Sequence, residues 1–263
     1  VAGEVAGGEQ AASASTSAAE THDRPPYRVI MVIRISPLPL TGQPSATSWV
    51  ILSIRAGPAM NHQFTILDKI LCYRGFFRME QYRLRHELFA GGWSPEITRE
   101  CLERGHAVAV LLFDPDRDRV VLLEQFRVGA LEFPGGPWLL EIVAGIMDDP
   151  VETTEEVARR ETEEEAGCEL LELIPICHYL VSPGGTSESI TLFCGRVDTS
   201  NLAPGIRGLA SEHEDIRLHL VSRAEALELL HIGRINSAAP IIALQWLELN
   251  RPKLLERWRL APA

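Results

Sequence analysis

The sequence predicts a mixed fold of the α/β (α+β) class. Stretches with the strand-like alternation of QYRLRHELF (81–89) are interspersed with stretches of helical character such as TTEEVARRETEEEAG (153–167). Such a succession is typical of folds in which helices pack on a sheet. The chain has 263 residues, of which 46% are hydrophobic, so it can bury one substantial core.

From Phe64 onward, several segments carry local signals for a defined element. HAVAVLLFDPDRDRVVLLEQFR (106–127) predicts a β-hairpin, because two apolar runs flank a polar turn. Thr153 and Glu156 have the spacing of a capping box at the start of the helix at 153–167, and Gly167 is suited to end that helix. Further elements are predicted as strands at 190–197 and 215–221 and as helices at 222–230 and 237–249.

Residues 1–59 differ from the rest of the chain. The stretch VAGEVAGGEQAASASTSAAE is small, polar and without hydrophobic periodicity, which is typical of disordered segments. We predict a disordered, dispensable tail or an over-extended start at 1–59, and a regulatory arm is the alternative. The stretch carries glutamates but no Arg or Lys, so it resembles neither a secretory signal nor a transit peptide.

Charge and cysteine usage narrow the class of protein. The formal net charge is −11 at pH 7, which disfavours nucleic acid as a partner, since nucleic-acid-binding proteins usually carry a basic face. The five cysteines form no CxxC pair, and an odd number without a secretion signal favours a reducing compartment, the cytoplasm. No apolar run has the length of a membrane span, so we expect no membrane partner.

The segment GIMDDPVETTEEVARRETEEEAGC (145–168) has the strongest functional signal. Glu161, Glu164 and Glu165 stand at i, i+3 and i+4, so a helix places them on one face, where like charges repel. Hard divalent cations such as Mg²⁺ prefer carboxylate oxygens and would compensate that repulsion. A solvated acidic face is the alternative, and Arg160 among the glutamates weighs against it.

This segment resembles the Nudix box, the signature of the Nudix hydrolase family. The second half of the box is matched by Arg160, Glu161, Glu164, Glu165, Gly167 and Cys168. Glu152 precedes Arg160 by the spacing that the box requires. Two departures are present: Thr162 stands where an apolar residue is usual, and the interval from Gly145 to Glu152 is one residue longer than in the box. We expect the additional residue to form a bulge within DDPV (148–151).

The resemblance extends far beyond the box, from YRGFF (73–77) to INSAAPIIALQWLEL (235–249). The segment SPGGTSE (182–188) is similar to the ADP-ribose pyrophosphatases of this family. The implied structure is a Nudix fold, a mixed β-sheet sandwiched between helices, with a small N-terminal β-rich domain. The implied domains are a β-rich unit for dimerisation and substrate binding at 60–105 and a catalytic Nudix domain at 106–263.

The activity implied by the resemblance is magnesium-dependent hydrolysis of the diphosphate bond of ADP-ribose to AMP and ribose 5-phosphate. Two or more Mg²⁺ ions per site are implied, with Mn²⁺ as a substitute. The alternatives are a Nudix pyrophosphatase for another nucleoside diphosphate sugar, such as ADP-glucose or GDP-mannose, and a non-catalytic nucleotide sensor on the same fold. The sensor is disfavoured because every carboxylate that the chemistry needs is present.

The resemblance assigns the metal ligands to the acidic helix, the loop before it and one distant loop. The implied ligands are the carboxylates of Glu161, Glu165 and Glu214 and the backbone carbonyl of Ala144. Glu164 would be a further ligand or would support one through water. Arg160 would pair with Glu152 and brace the loop, because a guanidinium fork can bind a carboxylate with two hydrogen bonds.

The general base is expected in SEHEDIR (211–217). Taken alone, this segment is typical of a polar turn before a strand. The resemblance makes Glu214 the first choice for a ligand or general base and Glu212 the second. His213 lies between them, but the family pattern favours the carboxylates.

Substrate binding requires an aromatic side chain for adenine and cations for the diphosphate. The resemblance implies Phe76, Arg99, Arg127, Gly184 and Gly185. Phe76 would stack on adenine, the arginines would bind phosphate or ribose, and the glycines would let the backbone approach the ligand. The resemblance also implies a homodimer whose N-terminal strands cross between subunits. The sequence is consistent with it, because residues 64–100 are too few to hold a core of their own. A monomer in which this unit packs on its own catalytic domain is the alternative.

Overall fold

The computed structural model describes residues 30–35, 48–53, 62–149, 151–209, 211 and 213–260. The chain divides into two compact units, Val1–Gln63 and Phe64–Ala263. In the first unit, strands β1 (Ile30–Ile35) and β2 (Ser48–Ser53) pair antiparallel. They fall within the segment 1–59, whose other residues lie outside the described ones. The domain boundary between residues 105 and 106 stays a prediction.

The second unit begins with a three-stranded antiparallel sheet of order β3-β4-β5. Its strands are β3 (Phe64–Arg74), β4 (Arg78–His86) and β5 (Ile97–Glu103). Every residue of β3 is exposed, although its sequence, FTILDKILCYR, is rich in apolar side chains. The strand-rich region expected at 64–100 is therefore a sheet whose first strand is not buried within one chain.

A mixed eight-stranded sheet follows, with the main order β10-β11-β6-β7-β13-β12. Its strands are β6 (Ala107–Asp114), β7 (Arg119–Phe126), β8 (Trp138–Glu141), β9 (Val143–Ile146), β10 (Glu172–Leu180), β11 (Ser189–Arg196), β12 (Gly205–Arg207) and β13 (Ile216–Ser222). All pairs are antiparallel except β11 with β6. The predicted hairpin at 106–127 and the predicted strands at 190–197 and 215–221 are confirmed.

The hairpin of β6 and β7 opens soon after its turn. The two strands pair at Phe113–Val120 and Asp114–Arg119. Beyond these pairs, β9 lies against β6 and β8 lies against β7. The segment 138–146 thus fills the opening of the hairpin and places Ala144 in the middle of the sheet, opposite Ala109.

Helices cover both faces of this sheet, as predicted. Neighbouring residues of a strand point to opposite faces: Phe113 packs with residues of α3 (Ala238–Leu260), whereas Leu112 packs with residues of α1 (Thr154–Glu161). Helix α2 (Arg223–His231) lies on the same face as α3. All of β6 is buried, so the apolar run AVAVLLF that precedes Asp114 follows from its place between two layers.

The last helix is longer than the sequence predicted. Helix α3 continues to Leu260, whereas an end at Leu249 was expected, and Pro252 lies inside it. An interior proline removes a helical hydrogen bond and costs about 3 kcal/mol. The turns beyond it bury Leu254 and Trp258 in the core, which offsets that cost. Of the helices in the described part of the chain, none is long and apolar enough to cross a bilayer.

Removing the Trp258 ring tests whether the end of α3 belongs to the core. Trp258 is 4% exposed, and its ring centroid lies 6.0 Å from that of Phe113. We expect Trp258→Ala to lower the free energy of unfolding by about 3–5 kcal/mol, because it removes a large buried side chain. Lys253→Ala, at an exposed position of the same helix, should change it by less than about 0.5 kcal/mol. Urea denaturation measures both, and equal midpoints would contradict the packing described.

Candidate active site

The acidic segment begins as a capped helix. The Thr153 hydroxyl accepts a hydrogen bond from the Glu156 N–H at 3.3 Å, and the Glu156 carboxylate accepts one from the Thr153 N–H at 2.8 Å. The capping box predicted from the sequence is therefore formed, and it fixes where α1 starts.

The end of the acidic segment is not the regular helix that the sequence predicted. Thr162–Ala166 form a π-helical turn, a conformation often found at functional sites, and Gly167 ends it with a φ of 66°. Thr162 is buried, and its hydroxyl donates to the Ala158 carbonyl at 2.7 Å. This hydrogen bond explains how threonine occupies a position where the box has an apolar residue.

Glu165, on the π-helical turn, is buried beneath the acidic segment. Its side chain accepts a hydrogen bond from the Ala144 N–H at 2.9 Å, and the residue is 2% exposed. Burial raises the pKa of this carboxyl to about 8, and the negative charges of Glu161 and Glu214 act in the same direction, whereas Arg127 lowers it. The structure therefore brings Glu214, which is distant in sequence, close enough to the acidic segment for its charge to act on Glu165.

Strand β9 presents backbone to these carboxylates. In an antiparallel pair, the N–H and C=O of one residue point to the same edge of the strand, so the Ala144 carbonyl faces the side of its N–H, where Glu165 lies. The next residue, Gly145, admits Glu161, since a Cβ at position 145 would collide with the Glu161 carboxylate. The box glycine thus leaves room for the Glu161 side chain beside the backbone, and a larger residue would have to displace that side chain.

Arg160 binds three glutamates. Its guanidinium forms hydrogen bonds of 3.1 and 3.2 Å with the two oxygens of Glu152, as the resemblance to the Nudix box implied. It also donates to Glu161 at 2.7 Å and to Glu164 at 3.2 Å. Burial raises the pKa of Glu161, and the charge of Arg160 opposes this shift. Arg160 therefore supplies part of the positive charge that the row of glutamates requires.

The additional residue of the box lies in an exposed turn before α1. Val151 is 85% exposed, and its N–H donates to the Asp149 side chain at 2.9 Å. The Glu152 N–H donates to the Asp149 carbonyl at 3.2 Å. Pro150 lies outside the described residues. The bulge expected at 148–151 is thus a turn held by Asp149.

Glu214 lies in the loop before β13. Its carboxylate accepts a hydrogen bond from the Leu209 N–H at 3.0 Å, and its own N–H donates to the Leu209 carbonyl at 3.2 Å. Gly208 has a φ of 96°, and a Cβ there would lie 2.6 Å from the Cβ of Glu214, so the loop requires glycine at this position. Glu212, the second choice for the base, lies outside the described residues.

Arg127 follows β7 and faces the same site. Its Nε donates to Glu141 of β8 at 2.8 Å, and its positive charge lowers the pKa of Glu165. Glu141 was not singled out from the sequence. Within WLLE it has no local signal, and it is revealed by the pairing of β7 with β8.

Phe76 and Arg99 lie on the three-stranded sheet. Phe76, in the turn between β3 and β4, is 88% exposed, and its ring packs edge-on against Phe77 with centroids 4.9 Å apart. The Arg99 side chain donates to the Thr98 carbonyl at 2.8 Å. Within the described residues of one chain, neither side chain is hydrogen-bonded to the glutamates of the site. Their roles toward adenine and phosphate stay predictions.

Gly184 and Gly185 lie in a turn that is attached to β5. The Gly185 carbonyl accepts a hydrogen bond from the Leu102 N–H at 2.8 Å, and the Thr186 hydroxyl donates to the Leu102 carbonyl at 2.9 Å. A Cβ at either glycine would meet no described atom within 4 Å, so packing does not explain these glycines. The attachment of SPGGTSE to β5 was not predicted, and close approach to a ligand stays a prediction.

The NUDIX domain family matches residues 103–244, a range that contains every glutamate of the site. This match covers more than half of the chain. The chain belongs to the Nudix family. The fold predicted from the sequence is confirmed, and the roles of the individual carboxylates stay predictions.

Relatives of this Nudix hydrolase include enzymes named for two substrates. The ADP-ribose pyrophosphatase of Escherichia coli (strain K12) is 49% identical over 193 residues, 73% of this chain and 91% of that protein. The ADP-ribose pyrophosphatase of Haemophilus influenzae is 44% identical over 197 residues, 74% and 90% of the two chains. The GDP-mannose pyrophosphatase of Cronobacter sakazakii is 36% identical over 154 residues, 58% and 78%.

The fold has a counterpart among solved structures. A crystal structure of an ADP compounds hydrolase superposes with a TM-score of 0.56 at 22% identity, and the match covers 73% of this chain and 96% of that one. At this identity the likeness supports the fold alone.

The oxygen atoms gathered in this Nudix hydrolase fit a hard divalent cation. The candidate donors predicted from the sequence, the carboxylates of Glu161, Glu165 and Glu214 and the carbonyl of Ala144, are oxygen atoms, the ligand type that Mg²⁺ and Mn²⁺ prefer. Among the described residues, no three His, Cys, Asp or Glu side chains already form a metal-binding group. Glu161 is bound to Arg160 and Glu214 to the Leu209 N–H, so a bound cation would have to compete with these hydrogen bonds.

The pKa of Glu165 predicts how metal-free stability depends on pH. Because the pKa rises from 4.5 to about 8 on folding, the folded state binds the proton more tightly, and this residue's contribution to stability falls as pH rises from 4.5 to 8. Glu165→Gln removes that dependence. We expect the variant to gain melting temperature relative to wild type between pH 5 and pH 8 in EDTA. A difference independent of pH, measured by differential scanning fluorimetry, would contradict the shift.

Proposed function

We propose that this Nudix hydrolase is a magnesium-dependent ADP-ribose pyrophosphatase that yields AMP and ribose 5-phosphate. The observation that carries the proposal is the buried Glu165 carboxylate, which lies with the charges of Glu161 and Glu214 beside the backbone of β9. The similarity to the E. coli enzyme over most of its length supports the choice of substrate. The five cysteines, all unpaired thiols, agree with the proposed location in the cytoplasm.

The metal-binding groups would be Glu161, Glu165, Glu214 and the Ala144 carbonyl, with Glu164 as a further ligand or a support through water. Two or more Mg²⁺ ions, or Mn²⁺ in their place, would neutralise the diphosphate and lower the pKa of a bound water. Arg160 orders Glu161 and Glu164 through its hydrogen bonds. It thereby positions two of the groups that meet the cation.

Glu214 is proposed as the general base, with Glu212 as the second choice. The Leu209 N–H holds one oxygen of the Glu214 carboxylate, which leaves the other oxygen to accept a proton from the attacking water. The water oxygen forms a bond to one phosphorus, and the bridging P–O bond breaks with its electrons on the departing phosphate. No covalent intermediate with the protein is required.

Substrate contacts are proposed for residues on both sheets. Arg127, beside the carboxylates, would bind a phosphate oxygen after exchanging its contact with Glu141. Phe76 would stack on adenine, and Arg99 would bind phosphate or ribose. The exposed Phe76 ring supports this role, because a stacking residue needs an open face. Gly184 and Gly185 would approach the ligand through their backbone.

The substrate and the metal site are tested together by two matched variants. Glu161→Gln removes a proposed ligand charge, so we expect kcat for ADP-ribose to fall at least about 100-fold. Glu163→Gln, an exposed position on the same segment, should keep wild-type kcat. Assays in which an added phosphatase releases inorganic phosphate from the monoester products give the measurement, with ADP-ribose, ADP-glucose and GDP-mannose as substrates, with and without Mg²⁺.

Two outcomes of these assays would overturn the proposal. A higher kcat/KM for GDP-mannose or ADP-glucose than for ADP-ribose would show that ADP-ribose is not the preferred substrate. Wild-type kcat in Glu161→Gln at saturating Mg²⁺ would remove Glu161 from the ligand set.

We further propose an active homodimer with the three-stranded sheets at its interface. All of β3 is exposed in one chain, including Phe64 at 68% and Ile70 and Leu71 at 49% each. Exposed apolar surface of this extent is typical of a protein interface. Since Phe76 adjoins β3 and β4, adenine binding would depend on assembly.

A charge placed on β3 tests the dimer. Ile70→Asp would bury an unpaired carboxylate in the proposed interface, so we expect a monomer whose kcat/KM falls at least tenfold. Leu249→Asp, at a 59% exposed position of α3, is the control and should remain dimeric and active. Light scattering after size exclusion measures the mass. A monomeric wild type with full specific activity at nanomolar concentration would exclude the dimer.

A further inference from the structure

Gln125 on β7 is a buried polar residue with no role in the proposed mechanism. It is 7% exposed, and its side-chain nitrogen is buried without a hydrogen-bond partner among the described residues. A buried amide without a partner costs about 1–3 kcal/mol, so buried polar groups usually have a partner. A bound ligand is therefore a candidate source of an acceptor for the Gln125 amide nitrogen.

The pairing and alternation of β7 place Gln125 in the floor of the active site. Val121 and Leu123 pack with Ala166, the residue after Glu165. Gln125 continues this alternation on the same face of the sheet. Arg127, two residues further along, acts on the charge of Glu165. Gln125 thus lies between Leu123, which packs against the acidic segment, and Arg127, which faces the Glu165 carboxylate.

The chemistry of the surroundings indicates which acceptor fits. The neighbouring Glu165 and Glu214 carboxylates take their hydrogen bonds from backbone N–H groups, and Arg127 from this strand binds Glu141. An amide nitrogen is a neutral donor, and the oxygens of a diphosphate offer acceptors without donors. A neutral donor also adds no charge to the carboxylates that would hold the metal.

We infer that Gln125 donates its unpaired amide N–H to an oxygen of the diphosphate of the bound substrate, and so serves as a further substrate-binding residue. The inference rests on the proposed function for the location of the diphosphate. It does not depend on which sugar is attached, because every candidate substrate contains the same diphosphate. The positive charge of Arg127 attracts the diphosphate, whereas the hydrogen bond from Gln125 fixes the orientation of one of its oxygens.

The inference predicts that one substitution weakens binding without weakening the fold. Gln125→Leu replaces an unpaired polar group by an apolar one of similar size, so the melting temperature in EDTA should equal or exceed that of wild type. The dissociation constants of ADP and of the α,β-methylene analogue of ADP-ribose, measured by calorimetry with Mg²⁺, should rise roughly 10- to 100-fold. The dissociation constant of adenosine should not change.

Two further variants separate a ligand contact from a structural role. Tyr179→Phe removes another buried, unpartnered polar atom, from a ring that packs on the α3 face of the sheet. It should leave both dissociation constants unchanged. Gln125→Glu keeps the shape but replaces the donor by an acceptor, so it should bind ADP at least as weakly as Gln125→Leu. Because Gln125→Glu also adds a negative charge, it serves in one direction: if Gln125→Leu does not fold, wild-type affinity for ADP in Gln125→Glu overturns the inference.

The outcomes distinguish this inference from the proposed function. Wild-type affinity for ADP in Gln125→Leu and Gln125→Glu would overturn the inference, as would a loss confined to the methylene analogue, which would place the contact on the distal ribose. If wild type binds ADP but hydrolyses no ADP-ribose, the proposed function fails, and the ADP affinities still decide the role of Gln125.

Discussion

The hydrogen bond from the Ala144 N–H to Glu165 joins the two parts of the molecule that make the site, the central sheet and the acidic segment. It requires a free edge on β9, which exists because the β6–β7 hairpin opens and admits the segment 138–146. It also requires the π-helical turn that carries Glu165. Either change, a closed hairpin or a regular last helical turn, would separate the carboxylate from the backbone it meets.

The contact between β9 and the acidic segment also buries the carboxylates of Glu161 and Glu165, which is unfavourable for the stability of the fold. Burial raises the pKa of Glu161 and of Glu165. The charges of Glu164 and Glu214 raise the pKa of Glu161 further, and those of Glu161 and Glu214 raise the pKa of Glu165 further. Arg160 and Arg127 offset part of this repulsion. Sites that are poised for a ligand often lower the stability of the protein without it. In this protein the buried strand β6 and the helices packed on both faces of its sheet stabilise the folded state, and this offsets the destabilising effect of the buried carboxylates.

Local signals in the sequence predicted the elements that depend on neighbouring residues. The Thr153 capping box and the hairpin turn at 114–118 follow from spacing along the chain. The pairing of Arg160 with Glu152 was implied by the resemblance to the Nudix box. Features that depend on distant pairing were missed. Glu141 and Gln125 have no local signal, because their place is set by the register of β8 against β7. The length of α3 was underestimated because Pro252 is a local signal that distant packing of Trp258 outweighs.

The contact between Gly145 and Glu161 has an evolutionary consequence. Because even the smallest side chain at position 145 would collide with the Glu161 carboxylate, alanine at position 145 is a deleterious first step while the glutamate is present. Alanine at position 161 would remove the collision, but it would also remove the carboxylate. The two positions therefore form an epistatic pair, and a descendant of this enzyme that takes up another chemistry is expected to change them in the order 161, then 145.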